Sequence, residues 1–210
     1  MKRIKLYKDF RNKLNIGLIG GAESIQTLGK VLNELNSRNI LVITAATLYK
    51  EDAEKKYSDR FGRLGYSTDF IHSSNSRELD TQENLMKLSG VDTIFFVGGD
   101  QSRITRCFSG TKFLSKILSS GINLVGSSAG SMALSHHMIS GGKEDPIMSI
   151  GLSVLPDVII DTHFKERSRE TRLGSAVRAN GKIGWGISED SAVIIKDGNI
   201  KTLGDVKIIS

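Results

Sequence analysis

Short apolar runs alternate with longer polar segments over the first 130 residues of the chain. Five runs stand out: NIGLIGG (15–21), NILVITAAT (39–47), STDFIH (67–72), DTIFFVGG (92–99) and INLVGSS (122–128). The segments between them carry apolar residues at helical spacing, as in ESIQTLGKVLNELNSR. Short buried runs separated by helices are typical of parallel strands covered on both faces. The pattern therefore predicts an α/β fold, a three-layer sandwich with a mainly parallel sheet and helices on both faces.

The spacing of the apolar runs changes near the C-terminus. KERSRETRLGSAVRAN (165–180) has a helical pattern, and KIGWGIS, SAVIIKDG and NIKTLG then follow at short intervals. Turn signals at Asn180-Gly181 and Asp197-Gly198 accompany these runs. Such spacing predicts antiparallel strands in this part of the chain.

The charge of the chain is concentrated at its beginning. The formal net charge is +6, and the first 13 residues hold six basic side chains against one acidic. We interpret residues 1–13 as a basic leader, and expect residues 1–210 to form a single domain. Because the remainder is nearly neutral and has no basic face with interleaved aromatic residues, we expect no nucleic-acid partner. No apolar run approaches the roughly 18 residues that cross a bilayer, so we expect no membrane partner either.

The side chains that bind metals and form disulfides are few. The chain has four histidines and one cysteine, Cys107. A lone cysteine excludes an internal disulfide and favours a reducing compartment, so we expect a cytoplasmic location. The histidines and Cys107 show no metal-ligand spacing, and GLIGGA lacks the dinucleotide fingerprint. We therefore expect neither a metal nor a cofactor.

GSSAG (126–130) lies where an apolar run meets a predicted helix. It fits the pattern Gly-x-Ser-x-Gly, in which a serine occupies a sharp turn and its hydroxyl stands above the sheet. In that interpretation Ser128 is a nucleophile, and the amide of Ala129 faces the position of an oxyanion. A phosphate-binding turn at a helix N-terminus is the rival interpretation.

A serine nucleophile needs a base, and the histidines differ in their placement. His136 and His137 lie inside the helix predicted after Ser128, about two turns beyond it. His163 directly follows the strand-like run DVIID and is the best-placed base. His72 ends another predicted strand and stays a candidate.

The base in turn needs an acid, and the oxyanion needs a second donor. Asp161, Glu189 and Asp190 each follow an apolar run and are candidates for the acid. The adjacent glycines of GGDQ (98–101) allow the backbone to approach a substrate closely. The amide of Gly98 or Gly99 is therefore the candidate for the second donor.

Four segments taken together resemble cyanophycinase and its relatives, a serine peptidase family that also holds aspartyl dipeptidase E. They are GGDQSRIT (98–105), GSSAGS (126–131), LPDVIIDTHFKERSRETRL (155–173) and GISEDSA (186–192). The resemblance implies a class I glutamine amidotransferase-like sandwich and a homodimer. It also implies Ser128 as nucleophile, His163 as general base and Glu189 as the orienting acid. Gly99 and Ala129 would then form the oxyanion hole.

The resemblance also implies a substrate. Cyanophycin is a polyaspartate that carries arginine on its β-carboxyls, and the family releases β-aspartyl-arginine dipeptides from it. We therefore expect a serine exopeptidase acting on a peptide or polymer rich in aspartate and arginine. Arginine side chains suit bidentate carboxylate recognition, and Asp161 would meet the substrate guanidinium. The positions that match the family's substrate contacts are Asp100, Gln101, Asp161, Arg167, Arg169 and Arg172.

Other interpretations of the same residues stay open. The arginines fit a plain helix surface, since Glu166 and Arg169 have ordinary helical spacing. The chain departs from the family pattern at Ser127, Ser131, Thr162 and Ser188, and its segment between 142 and 155 is shorter. The alternative functions are an aspartyl dipeptidase of the same family and a non-catalytic, amidotransferase-like binding domain.

Overall fold

The computed structural model describes residues 14–210, and the predicted leader at 1–13 lies outside them. The strands are β1 (Ile16–Ile19), β2 (Asn39–Ile43), β3 (Ser67–Ile71), β4 (Thr93–Phe96), β5 (Asn123–Ser127), β6 (His137–Gly141), β7 (Ile147–Ile150), β8 (Val158–Thr162), β9 (Ile183–Ile187), β10 (Ala192–Lys196), β11 (Asn199–Leu203) and β12 (Val206–Ile209). The helices are α1 (Ile25–Glu34), α2 (Lys50–Arg63), α3 (Ser76–Leu79), α4 (Gln82–Met86), α5 (Gln101–Phe108), α6 (Lys112–Ser120), α7 (Ala129–Ala133) and α8 (Glu170–Asn180). Across this range, every helix is too short or too polar to cross a bilayer.

The central sheet has seven strands in the order β11-β10-β1-β5-β4-β2-β3. The strands β1 to β5 are parallel to their neighbours, whereas β10 and β11 add an antiparallel edge beside β1. Each of the five apolar runs of the N-terminal part forms one of the parallel strands. The predicted α/β fold with a mainly parallel sheet is confirmed.

Helices cover both faces of this sheet. The chain moves outward from β1 through β2 to β3, and then back through β4 to β5. Because parallel crossovers are right-handed, this reversal places α1 and α2 on one face and α3 to α6 on the other. The aromatic contacts agree, since Phe95 packs against Tyr57 and Phe61 of α2, and Phe96 packs against Phe108 of α5. The core therefore lies in two layers, as a three-layer sandwich requires.

A second sheet, of order β12-β9-β8, differs from the prediction. We expected KIGWGIS to be antiparallel to the strands near it, but β9 is parallel to β8 and antiparallel to β12. The helix α8 connects β8 to β9 as a crossover, which permits parallel pairing. Gly181 ends α8 at φ +61 and makes no hairpin. The turn at Asp197-Gly198 does join two antiparallel strands, β10 and β11.

Two helices are shorter than the sequence pattern predicted. The helix after Ser128 ends at Ala133, and His137 begins β6, so neither His136 nor His137 lies on it. The amide of His136 donates instead to the carbonyl of Leu155, which draws the chain toward β8. The helix predicted from residue 165 begins at Glu170, because a left-handed Ser168 at φ +49 interrupts it.

Candidate active site

The carboxyl ends of four parallel strands form one edge of the central sheet. In the register, Ile19 of β1 faces Ser127 of β5, and Phe96 of β4 faces both Gly126 and Ile43. The loops after these strands therefore meet in one place. Ligands bind at this edge in open α/β sheets.

Ser128 occupies a strained turn between β5 and α7. Its backbone lies at φ +53 and ψ −115, which a residue with a side chain rarely adopts. The flanking glycines make the turn possible, since a Cβ on Gly126 would lie 2.4 Å from Gly130. A Cβ on Gly130 would lie 2.3 Å from the carbonyl oxygen of Phe96. These close approaches explain the Gly-x-Ser-x-Gly spacing and leave the Ser128 hydroxyl projecting from the edge.

Ser128, His163 and Glu189 form a row of hydrogen bonds. The Ser128 Oγ lies 2.8 Å from His163 Nε2, and His163 Nδ1 lies 2.6 Å from Glu189 Oε1. Because an ionised carboxylate only accepts, the neutral imidazole carries its proton on Nδ1. The unprotonated Nε2 then accepts from the serine hydroxyl, which is the arrangement that a general base requires.

The second sheet brings the histidine and the glutamate together. In the parallel pairing of β8 and β9, Thr162 faces Ile187. His163 and Glu189 follow these two residues closely, so they leave neighbouring strands at the same edge. The site thus joins one loop of the central sheet to two loops of the second sheet.

The end of β1 supports all three loops, which the sequence did not predict. The carbonyls of residues 19, 20 and 21 accept in turn from the amides of Ser128, His163 and Asp190. These three donors have φ values of +53, +48 and +51. The only sequence signal for this support is the glycine pair in GLIGG, which the apolar pattern assigns to a strand.

Both of these glycines are required by close packing. A Cβ on Gly20 would lie 1.9 Å from the carbonyl oxygen of Ser188. A Cβ on Gly21 would lie 2.4 Å from the imidazole of His163, and Gly21 itself has φ +102. Any side chain here would therefore displace either the Glu189 loop or the histidine ring.

Asp190, a candidate for the orienting acid, has a different role. Its carboxylate accepts from the amide of Ser24 at 2.7 Å, at the beginning of α1. Partial burial would raise the pKa of Asp190, but hydrogen bonds from Ser24 and Thr27 lower it below its ordinary value. Asp190 therefore stays ionised and fastens the loop that carries Glu189. The amide of Glu189 donates in addition to Glu166 Oε2 at 3.0 Å.

The remaining histidines have other partners. His72 Nδ1 lies 2.8 Å from Thr44 Oγ1, and its Nε2 lies 2.8 Å from Glu54 Oε2. His136 Nδ1 contacts the hydroxyl of Ser153. Among residues 14–210, no cluster of three or more histidine, cysteine, aspartate or glutamate side chains could hold a metal ion.

Gly99 and Ala129, whose amides are the predicted oxyanion donors, line a cavity of about 160 Å³ beside Ser128. Within residues 14–210, neither amide donates to a backbone or side-chain acceptor. Gly99 has φ +144, and a Cβ on it would lie 2.3 Å from the carbonyl oxygen of Ala46. Gly98 is also close, since its Cβ would lie 3.3 Å from that of Ser128.

The same cavity is polar and carries several of the predicted substrate contacts. Gln101 lines it, and its side-chain amide donates to the carbonyl of Ile139 at 2.8 Å. Asp100 caps α5 by accepting from the amide of Ser102, and the cavity lining does not include it. Besides Gln101, Ser128 and His163, the polar side chains of the lining are Ser140, Thr162, Arg167, Arg169 and Arg172.

The expectation that Asp161 meets a substrate guanidinium is wrong. Its side chain is fully buried, and its carboxylate accepts from both Arg169 and Arg172. Arg172 donates in addition to the carbonyl of Gly142. A buried carboxylate must be paired in this way, because leaving water is costly for a charge. Asp161 therefore holds two arginines in place and does not reach the cavity.

A larger cavity of about 460 Å³ lies on the other side of Ser128 and His163. The turn after β1 and the first turns of α2 form its walls. It combines aromatic, acidic and basic side chains. They are Glu23, Tyr49, Asp52, Lys56 and Tyr57.

Comparisons with known proteins agree with this geometry. Residues 18–203 match the peptidase family S51. A cyanophycinase from Trichormus variabilis is 30% identical over 223 aligned positions, covering 97% of this chain and 75% of that protein. A cyanophycinase from Geminocystis herdmanii is 38% identical over 182 positions, covering 79% of this chain and 66% of that protein.

Two solved structures share the fold. A peptidase from an acI-B1 Actinobacterium has a TM-score of 0.74 at 22% identity, covering 92% of this chain and 88% of the other. A putative peptidase E protein from Listeria monocytogenes has a TM-score of 0.61 at 17% identity, covering 90% and 97%. The family match extends over nearly the whole described chain. The chain therefore belongs to peptidase family S51 and is a serine-type peptidase.

Proposed function

We propose that the protein is a serine exopeptidase that hydrolyses cyanophycin to β-aspartyl-arginine dipeptides. The observation that carries this proposal is the Ser128–His163–Glu189 row beside an arginine-lined cavity. The two relatives described above are named cyanophycinases, which supports the same substrate.

The proposed reaction proceeds through an acyl-enzyme. Ser128 Oγ attacks the scissile carbonyl while His163 Nε2 takes its proton, and Glu189 stabilises the resulting imidazolium. The amides of Gly99 and Ala129 donate to the oxyanion. His163 then returns the proton to the leaving amine, and the C–N bond breaks. A water molecule, deprotonated by the same histidine, releases the acyl group and restores the serine.

The small cavity favours a carboxylate-bearing substrate. Arg167 is exposed at its wall, and its guanidinium makes no hydrogen bond within residues 14–210. Arg169 and Arg172 both pair with Asp161. Together with Arg167, the three guanidinium groups therefore carry more positive charge than this one carboxylate neutralises. Burial lowers the pKa of Arg169 below its ordinary value, although the adjacent Asp161 acts in the opposite direction. We therefore assign Arg167 and Arg169 to a substrate carboxylate, which each cyanophycin unit offers on its arginine.

A short aspartyl peptide is the second candidate substrate. The cavity beside Ser128 measures only about 160 Å³, which suits one small acidic residue. Both substrates use the same reaction, so the choice between them is a matter of affinity and turnover.

The test is hydrolysis of cyanophycin by the purified protein, with Ser128→Ala in parallel and mass spectrometry of the products. We expect aspartyl-arginine dipeptides from the wild type alone. Release by both proteins would refute Ser128 as the nucleophile. Cleavage of short aspartyl peptides with no release from the polymer would replace cyanophycin by the second candidate.

A homodimer and a cytoplasmic location stay predictions. Light scattering during gel filtration of the full chain measures the first. A mass near twice 22.9 kDa is the expected result. Fractionation of the host cell measures the second.

A further inference from the structure

Glu23 is a buried carboxylate that the proposed mechanism does not use. It follows the turn at residues 19–21, and its side chain is 1% exposed. A buried charge is unfavourable unless it is paired and hydrogen-bonded. The hydrogen-bond partners of Glu23 therefore indicate the role of this buried carboxylate.

Three donors surround this carboxylate. The hydroxyl of Tyr57 and the guanidinium of Arg60 donate to Oε1 at 3.1 and 3.0 Å. The hydroxyl of Ser127 donates to Oε2 at 2.6 Å. Burial and the charge of Glu23 raise the pKa of Tyr57 well above its ordinary value, so Tyr57 keeps the proton that it donates.

The bond to Ser127 connects two loops of the site. Ser127 immediately precedes Ser128, whereas Glu23 lies two residues after the turn whose carbonyls hold Ser128 and His163. Arg60 and Tyr57 in turn fix the carboxylate to α2. The nucleophile turn and the support of the histidine thus share one buried contact.

We propose that Glu23 is a positioning residue, which holds the Ser128 turn in register with the turn beneath His163 through its hydrogen bond to Ser127. This inference rests on the proposed role of Ser128 as nucleophile. Its physical basis is that a displacement of about 1 Å between nucleophile and base can cost 10²-fold in rate.

The alternative is that Glu23 binds the substrate, because it borders the larger cavity. Its carboxylate, however, is almost closed to solvent and already accepts three hydrogen bonds. A substrate cation would have to displace one of these donors. We therefore infer that Glu23 acts through its contact with Ser127 and does not bind the substrate.

The test uses Ser127→Ala and Glu23→Gln, with Ser37→Ala as the matched control. Ser37 is 1% exposed against 2% for Ser127, and it accepts from Thr93 Oγ1 at 2.7 Å, away from the site. Two quantities are measured for each protein: kcat and KM on a substrate that the wild type cleaves, and the rate at which a fluorophosphonate modifies Ser128. The second requires no knowledge of the natural substrate.

We expect both test variants to lose about 10- to 100-fold in kcat and in the modification rate, while KM changes by less than about twofold. The control should keep wild-type values even where its melting temperature falls equally. Because Ser127→Ala changes no charge, a loss in that variant excludes a purely electrostatic effect of Glu23. Wild-type rates in both variants would overturn the proposal, as would a raised KM with unchanged kcat.

Two further variants separate positioning from folding. Ser127→Thr keeps the hydroxyl, so it should retain most of the rate that Ser127→Ala loses. The double variant Glu23→Gln/Ser127→Ala should lose no more than the worse single one, because both changes disturb the same contact. Additive losses would contradict a shared contact.

A wild type that the fluorophosphonate does not modify would instead refute Ser128 as nucleophile. That result would be a failure of the proposed function and not of the role of Glu23.

Discussion

Two rows of hydroxyl, imidazole and carboxylate lie at the carboxyl ends of the strands within residues 14–210. In one, Ser128 contacts His163, which contacts Glu189, at 2.8 and 2.6 Å. In the other, Thr44 contacts His72, which contacts Glu54, at 2.8 Å each. We call them the serine row and the threonine row. By side-chain type and distance alone they are nearly equivalent.

They differ in what surrounds the hydroxyl. Thr44 is fully buried and extends β2 in ordinary backbone geometry, with its amide donating to Ile71. Ser128 stands on a strained turn, borders two cavities and has the Gly99 and Ala129 amides beside it. The imidazoles also use opposite nitrogens, since His72 contacts its hydroxyl through Nδ1. A nucleophile needs access and an oxyanion site as well as a base, and within residues 14–210 we propose that the serine row combines the three.

Replacing the histidine should give the largest difference in kcat/KM between the two rows. His163→Gln removes the proposed base, and we expect kcat/KM to fall on the order of 10⁴-fold. His72→Gln should leave kcat/KM within about twofold, because the Thr44 hydroxyl reaches no substrate. Steady-state kinetics on the substrate of the wild type measure both. Comparable losses in the two variants would show that the rows act together.

Loss of the carboxylate should have a smaller effect. In Glu189→Gln the side chain has no negative charge to stabilise the imidazolium of His163, so we expect kcat to fall about 10²- to 10⁴-fold. Glu54→Gln is the matched control in the threonine row, where the carboxylate is 47% exposed. Its kcat should not change. An unaltered kcat in Glu189→Gln would assign the orienting role to another acid.

A substitution in the glycine turn that packs against His163 should have the next largest effect on kcat. In Gly21→Ala the new Cβ would lie 2.4 Å from the imidazole, so the ring must move. We expect kcat to fall on the order of 10²-fold with KM nearly unchanged. Gly65→Ala is the control, because Gly65 also has a positive φ, +79, but has no atom within 4 Å of its Cβ position. If both variants lost only stability, packing against His163 would be irrelevant to the rate.

The sequence predicted the central sheet well and the second sheet poorly, for a physical reason. The strands β1, β2, β4 and β5 are largely apolar, because inner parallel strands are buried on both faces, whereas the edge strand β3 is only partly buried. The pairing of β8 with β9 depends on α8 crossing back over them, which is a tertiary arrangement that no local pattern contains. The proposed triad was located by motif and resemblance, and the structure brings its side chains within hydrogen-bond distance.

Features that depend on tertiary partners were missed. Asp161 was expected at the substrate because it matches a substrate-contacting position of the family, whereas its pairing with Arg169 and Arg172 depends on the folded structure. The carbonyls at the end of β1 belong to the backbone and leave no residue-type signal beyond the glycines that permit their approach. The role of Glu23 was not predicted, since its contact with Ser127 spans 104 residues of chain.

The hydroxyl of the threonine row gives the smallest expected effect. Thr44→Val keeps the shape of the side chain but removes its hydrogen bond to His72, which should lower the free energy of unfolding by about 1 kcal/mol. Activity should be unchanged, since neither residue borders the cavities beside Ser128. Urea denaturation and kinetics on the same samples measure the two quantities, with Thr44→Ser keeping the hydroxyl as the control. A loss of activity without a loss of stability would mean that the threonine row assists the reaction. The burial of its hydroxyl would then not explain the functional difference between the two rows.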